Sequence, residues 1–380
     1  MRRIFHPVGQ GAFFSEHFDE ATKPFTIVYD CGSLTLDAIS MRTKVNSSFR
    51  KGQVIDVLFI SHFHADHING IDFLKNQCKI RNVVIPYLTE EAKILTRIAN
   101  YASTGSTDSR LIDDPQGFFG GNTRVIQVSE ADTEGGIIED RPNENFPIDD
   151  EEDEERSRRA ARPSAGPITT IASGTRLTAG AIPFWMFVPY NFRMKERVGI
   201  FRTALAGLGI DLDDLQSIET IKSHETEVIA AYTAVNRDLN RNTMFLYSGP
   251  NDPKDTTLFS PMLPDHEFFW WFHWHGQIPR GCLYTGDADL REAGLVDYLR
   301  ISLSGFAPLI GTCIIPHHGA IKNYHADIWR FLTNTRFGVL NYGTTNTYGH
   351  PSDAVIADVV TPKRFIIRVT EERKTLAVFK

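Results

Sequence analysis

Residues 58–70 read LFISHFHADHING, and this stretch constrains the chain more than any other. His62, His64, Asp66 and His67 fall within six positions, directly after an apolar run that reads as a buried strand. Crowding imidazoles and carboxylates at a strand end costs solvation unless a bound cation offsets it. Divalent ions take neutral imidazoles and carboxylates held on rigid turns. His62 and His64 alternate along the chain, so both can face one ion where the strand ends. Asp66 and His67 lie one turn on, at the start of a predicted helix, and can face a second ion.

Further ligands must come from elsewhere, and three later strands end in suitable residues. CLYTGDAD delivers Asp287, IGTCIIPHHGA delivers His317 and His318, and VLNYGTTNTYGHP delivers Asn346 and His350. Sheets in α/β folds place their sites at the C-terminal edges of strands. Upstream, FTIVYDCGS (25–33), VIDVLFISH (54–62) and IRNVVIPY (80–87) read as three strands. A short helix carries Ile68, Ile71, Phe73 and Leu74, and TEEAKILTRIANYA (89–102) forms another with Thr89 as N-cap. This alternation predicts a layered α/β domain.

Composition narrows the class. The chain has 380 residues, long enough for one large core or two domains. No apolar stretch approaches the roughly 20 residues that span a bilayer. The first apolar run is broken by His6, Pro7, Gly9 and Gln10, which argues against a cleaved signal peptide. Cys31, Cys78, Cys282 and Cys313 lack CxxC spacing, so neither a disulfide framework nor a thiolate zinc site is expected, and a reducing, cytoplasmic setting is. A net charge of -7 does not advertise nucleic-acid binding, which usually leaves a basic footprint, and global charge decides little here. Much of that charge is local, since DDEEDEE (149–155) runs straight into RSRRAAR (156–162). Residues 103–166 read as a low-order, disordered acidic/basic insertion with TRVIQV (123–128) as its one strand, and residues 192–240 as a helical insertion broken at Gly207 and Gly209. The run Phe268, Phe269, Trp270, Trp271, Phe272 and Trp274 is a candidate protein-partner surface, as is the helical insertion.

Six motifs in order, VGQGAFF (8–14), IVYDCGS (27–33), ISHFHADHINGI (60–71), YTGDAD (284–289), IPHHGA (315–320) and YGTTNTYGHPS (342–352), give the chain a family resemblance. It resembles the metallo-β-lactamase superfamily, and within it the C-terminal hydrolase domain of ComEC-type competence proteins and their stand-alone relatives. The resemblance implies an αββα sandwich spanning residues 1–380 as a single domain, with one or two divalent ions, zinc or manganese, at one edge of the sheets. It implies that His62 and His64 hold the first metal, Asp66 and His67 the second, and that Asp287 bridges them. His318 is then the further ligand of the second metal, with His350 as its competitor and otherwise a contact for substrate or a transition-state oxygen. Asp30 braces the metal loop through hydrogen bonds. The superfamily's third histidine for the first metal should follow a strand between residues 100 and 280. The matching strand PFWMFVPYNF (183–192) carries none, and His224, His266, His273 and His275 lie in helical or aromatic contexts. Ala320 stands where relatives carry a serine.

The chemistry so implied is hydrolysis by metal-activated water. Asp66 would orient the nucleophile, His317 or His350 would donate to the leaving or developing oxygen, and Asn346 and Lys322 would meet substrate. A phosphodiesterase or nuclease acting on DNA or RNA is the first expectation. A hydrolase of a small ester, lactone, thioester or phosphocholine-type substrate is the alternative, and a metal-binding sensor or assembly subunit without catalysis is the third. No membrane partner is expected.

Overall fold

The computed structural model describes residues 1–19, 21, 23–131, 144–149, 168–193, 196–234, 242–252, 254, 255, 258, 259, 261, 262 and 278–380. The acidic-basic run from residue 150 to 162 and the aromatic run 268–274 lie outside the described residues, as do His266, His273 and His275.

Two large sheets face each other. The first runs Pro261–Met262, Ala377–Phe379, Arg2–Phe5, Phe13–Phe18, Phe25–Cys31, Val54–Phe59, Lys79–Pro86, Arg124–Val128 and Thr169–Ile171 from edge to edge. The second runs Phe365–Val369, Phe337–Asn341, Ile310–Ile314, Gly281–Tyr284, Asn242–Pro250, Trp185–Arg193, Arg176–Thr178 and Asn145–Pro147. Each contains a parallel block, Phe25–Cys31 through Thr169–Ile171 in one and Gly281–Tyr284 through Phe365–Val369 in the other. Strands in such blocks are buried on both faces and therefore read as near-continuous apolar runs.

The alternating pleat sorts those runs into layers. Ile27, Tyr29, Val57 and Phe59 point between the sheets, where they meet Phe187, Leu246, Tyr284 and Val339. Val28, Leu58 and Ile60 point outward, under the helices Ala38–Ser48 and Ile71–Gln77. Behind the second sheet, Leu283, Ile310 and Cys313 pack under the helices Leu295–Ser302 and Ile328–Phe331. Helix, sheet, sheet, helix is the expected αββα order. Each fully buried aliphatic or aromatic side chain in it contributes about 1.5–3 kcal/mol.

A charged pair crosses the apolar interlayer. Arg3 and Glu16, on neighbouring strands of the first sheet, are fully buried with Nε donating to Oε1 at 2.7 Å. Ser248 and Tyr284 of the second sheet donate to the same carboxylate at 2.6 and 2.8 Å. The four cysteines are buried and free.

Three local readings need adjustment. The strand Trp185–Arg193 runs past residue 192, where the helical insertion was expected to begin, because it pairs along its full length with Asn242–Pro250. The second insertion helix is two, Ile218–Ser223 and Glu225–Ala234, parted at His224, whose N–H turns back to Ile221 and Lys222. Within the segment read as low-order with one strand, short helices form at Arg110–Asp113 and Pro115–Phe119, and Asn145–Pro147 is a further strand paired with Arg176–Thr178. Asp114 caps the second of these helices from the Gly117 N–H, and Pro115 sits at its first turn, both ordinary helix-start chemistry. The insertion helices and Glu90–Thr104 share a small core of their own, including Ile94, Ile98, Phe201, Leu205, Ile221 and Val228. Among the described residues no helix is long and apolar enough to cross a membrane.

Candidate metal centre

The C-terminal edges of the two parallel blocks deliver the polar cluster. Ile60 still pairs with the neighbouring strand, its N–H bonded to Val84 O, and the chain then turns through Ser61–His64 into the short helix Ala65–Ile68. That helix is held by backbone from two directions: Ala12 N–H donates to Asp66 O, and Gly70 N–H donates to Cys31 O. The approach is so close that a Cβ at Gly32 would lie 2.5 Å from the Asp66 carbonyl carbon, and one at Gly11 2.6 Å from its oxygen. The glycines of VGQG and DCG are therefore there to let three backbone segments meet.

From the second sheet, Asp287 follows the strand Gly281–Tyr284, and His317 and His318 follow Ile310–Ile314 in left-handed backbone, at φ 47° and 56°. The result is two overlapping sets of potential ligand atoms, each within 4.8 Å of one another: Asp66, His67, Asp287 and His318, and His62, His64 and Asp66. Asp66 belongs to both. Asp287 also turns both ways, with Oδ1 3.2 Å from His67 Nε2 and Oδ2 3.8 Å from His62 Nε2.

The surrounding hydrogen bonds fix which nitrogen each histidine offers. His67 Nδ1 lies 2.8 Å from Asp30 Oδ2, and a carboxylate can only accept, so Nδ1 carries a proton and Nε2 is the nitrogen turned to the cluster, where a cation would take the place of any proton on it. His318 Nδ1 faces the Asn341 carbonyl at 2.8 Å and is fixed in the same way. Ser61 Oγ donates to Asp30 Oδ2 at 2.7 Å and so accepts from His62 Nδ1 at 2.8 Å. His62 Nε2 is left buried with no hydrogen bond. Asp30, itself at a φ of 54°, also accepts from the Ser61 N–H at 2.7 Å. One buried carboxylate thus orients two of the four residues of the opening motif, through direct contact and through Ser61.

The electrostatics ask for a cation. Every ion pair of Asp66 and Asp287 among the described residues is to a histidine. Burial raises the Asp287 carboxyl, but His317, His67 and His318 together outweigh it and hold it well below the usual carboxylate range. Burial pushes His67 down, and Asp287, Asp66 and Asp30 more than reverse this, so its pKa lies well above an ordinary imidazole. Burial drives His62 well below it. Two buried carboxylates and four imidazoles, that of His62 with its Nε2 unbonded, make a donor set that fits a divalent ion.

The other predicted residues fall around this cluster. His350 is in neither ligand set, and its ring lies 5.6 Å from that of His317 and 6.4 Å from that of His318. Asn346 is committed to its own loop: Nδ2 donates to Gly343 O at 2.6 Å and His350 O at 2.9 Å, and Oδ1 accepts from Tyr348 N–H at 3.2 Å. Lys322 is exposed. His224 is in neither set. Sequence reasoning assigned Asp66 to one ion only, leaving the first set short of a ligand; the helix turn brings Asp66 to that set as well. It also passed over Ser61 and over Asn100, whose buried Nδ2 donates to Phe63 O at 2.8 Å, between His62 and His64. An S-H-x-H run was the available signal for Ser61; Asn100 has none short of the folded helix Glu90–Thr104.

No curated protein matches the chain. Residues 23–166, which carry Asp30 and the whole His62–His67 cluster, match the family model described as the metallo-beta-lactamase superfamily, and the two-sheet layered architecture is consistent with that superfamily's α/β sandwich.

Proposed function

We propose that the chain is a metal-dependent phosphodiesterase acting on DNA or RNA, akin to the hydrolase domain of ComEC-type proteins. The observation that carries this reading is the pair of overlapping ligand sets sharing Asp66, with Asp287 turned toward both. A site for two adjacent ions suits in-line displacement at phosphorus, where attacking and leaving oxygens both need charge stabilisation. On this reading His62, His64 and Asp66 hold one ion, and Asp66, His67, Asp287 and His318 hold the other.

Bound there, divalent ions supply Lewis acidity toward a phosphoryl oxygen and bring the pKa of water down toward about 7. The protein supplies orientation. Asp66 accepts a hydrogen bond and so aligns the attacking water, while Asp30 and Ser61 keep the imidazoles in the required tautomers. His350 is lowered to about 4, by burial first and then by His317 and His318, so it is neutral at pH 7. It would therefore serve as an uncharged hydrogen-bond donor to an oxygen gaining charge, and not as an imidazolium acid. His317, whose Nε2 lies 3.9 Å from Asp287 Oδ2, is the second candidate for that donation.

The test is a cleavage panel: metal-stripped protein reconstituted with Mn²⁺ or Zn²⁺, against single- and double-stranded DNA, RNA and bis-p-nitrophenyl phosphate. Metal-dependent cleavage of a nucleic acid that His67→Ala abolishes is the expected result. Absence of nucleic-acid cleavage with every metal, or hydrolysis of lactones or thioesters alone, overturns the reading.

A further inference from the structure

The loop at residues 343–350 holds an exposed aromatic ring against His350, beside the ligand cluster. Tyr348 is 60% exposed, yet it is not a loose surface side chain. Its ring lies 5.7 Å from that of His350 with an interplanar angle of 11°. The His350 ring in turn lies 6.4 Å from that of His318 at 24°. His318 Nε2 is 3.3 Å from Asp66 Oδ2, so a row of near-parallel rings leads from solvent to the ligand cluster.

The loop carrying this row is fixed from within. Asn346 spans it through Gly343 O, His350 O and the Tyr348 N–H. Thr344 N–H donates to Glu371, tying the loop's first residues to the chain beyond the last strand but one. Gly349 takes a φ of 76°, a turn that sets Tyr348 over His350. Holding a large aromatic in the open, with one face covered by an imidazole, exposes apolar area for no folding gain. Its ordering has already been paid by the loop, which is what a binding platform requires. A parallel, offset stack is the geometry aromatic rings and nucleobases adopt with one another, and it is tolerant of base identity.

We infer that the outward face of Tyr348 is a stacking subsite for a nucleobase, the one adjoining the phosphate held at the ligand cluster. The substrate is then a base-bearing strand with an unpaired base at that position. This rests on the phosphodiesterase reading, but its first test does not need turnover. Equilibrium binding of adenosine 5′-monophosphate and of ribose 5-phosphate is measured by calorimetry on metal-loaded wild type, Tyr348→Phe and Tyr348→Ala. Base stacking predicts that the nucleotide binds about 5- to 100-fold more tightly than the sugar phosphate. Tyr348→Phe keeps that ratio and Tyr348→Ala brings it near one. Equal binding of the two ligands by wild type, or a ratio unchanged in Tyr348→Ala, overturns the inference. In the second test, Tyr348→Ala raises KM on an oligonucleotide by a similar factor at unchanged kcat. The same variant cleaves a strand with abasic sites as wild type does. A nucleotide preference lost in Tyr348→Ala, without cleavage of any phosphodiester, supports the subsite and sinks the hydrolase reading alone. Cleavage with no base preference does the reverse.

Discussion

Asp30→Asn isolates the work of a single charge. Asparagine fills the same volume and accepts left-handed backbone, so the φ of 54° at this position stays affordable. What changes is that one of two acceptor oxygens becomes an NH₂ donor. Placed at Oδ1, it meets the Ser61 N–H, now 2.7 Å away, donor against donor. Placed at Oδ2, it faces His67 Nδ1 at 2.8 Å and forces the proton to Nε2, the nitrogen aimed at Asp287 and the ligand cluster. The first choice leaves a buried N–H unsatisfied, at about 1–3 kcal/mol. The second turns a ligand lone pair into an N–H. Loss of a partner that orients a ligating histidine costs about 10- to 100-fold in metal affinity. We expect the variant to lose affinity for Zn²⁺ or Mn²⁺ by that factor, in competition titrations with a chromophoric chelator. ¹⁵N–¹H correlation of the imidazoles at saturating metal should show His67 moving from Nδ1–H toward Nε2–H. Metal affinity within about 2-fold of wild type, with the His67 tautomer unchanged, would refute the argument that this carboxylate sets the ring.

Two further outcomes follow from groups remote from the cluster. Glu16→Gln leaves the fully buried Arg3 guanidinium without its counter-charge and should cost about 3–5 kcal/mol in urea unfolding, whereas Arg3→Met with Glu16→Leu should recover most of it; a single-variant loss below about 1 kcal/mol sinks that reasoning. His6 and His17 share Ser15 Oγ in a buried chain, at 2.9 and 3.0 Å. Burial above all, then His17 and Lys44, lowers His6 to about 3, and burial followed by Arg2 lowers His17 to about 4. In the unfolded chain these rings titrate near about 6.5, so there they bind protons that the native state refuses. Their contribution to stability is full above about pH 6.5 and is lost as pH falls toward about 3. His17→Gln should flatten that decline in urea midpoints taken at pH 7, 6, 5 and 4, and an unaltered slope would exclude His17 as its source.

The site was legible in proportion to how local its chemistry is. His62, His64, Asp66 and His67 announce themselves because one strand end and one helical turn carry all four. Asp287 and His318 could be read as strand ends with polar termini, and Thr89 as an N-cap, whose Oγ1 accepts the Ala92 N–H. Membership of Asp66 in both ligand sets was not legible, since it depends on how a four-residue helix is held by Ala12 and Cys31 from elsewhere in the chain. Nor was the sharing of Asp30 between Ser61 and His67, which needs the strand Phe25–Cys31 alongside Val54–Phe59 in register. His224 lies inside a periodic helical pattern and still interrupts it, because periodicity counts apolar spacing and is blind to a local reversal of the N–H.

The division of the ligand sets between the sheets bears on how the molecule would come apart. His62, His64, Asp66 and His67 hang from the first sheet, Asp287 and His318 from the second. An ion held by Asp66, His67, Asp287 and His318 would be a cross-link that exists only while the two sheets are docked. Its binding free energy would then be indivisible from tertiary closure, adding about 2.7 kcal/mol at a hundredfold excess over Kd. Withdrawing it would loosen no single loop. It would lower the cost of parting the layers along the whole edge that carries the chemistry, making the loaded protein one cooperative unit and the stripped protein closer to two.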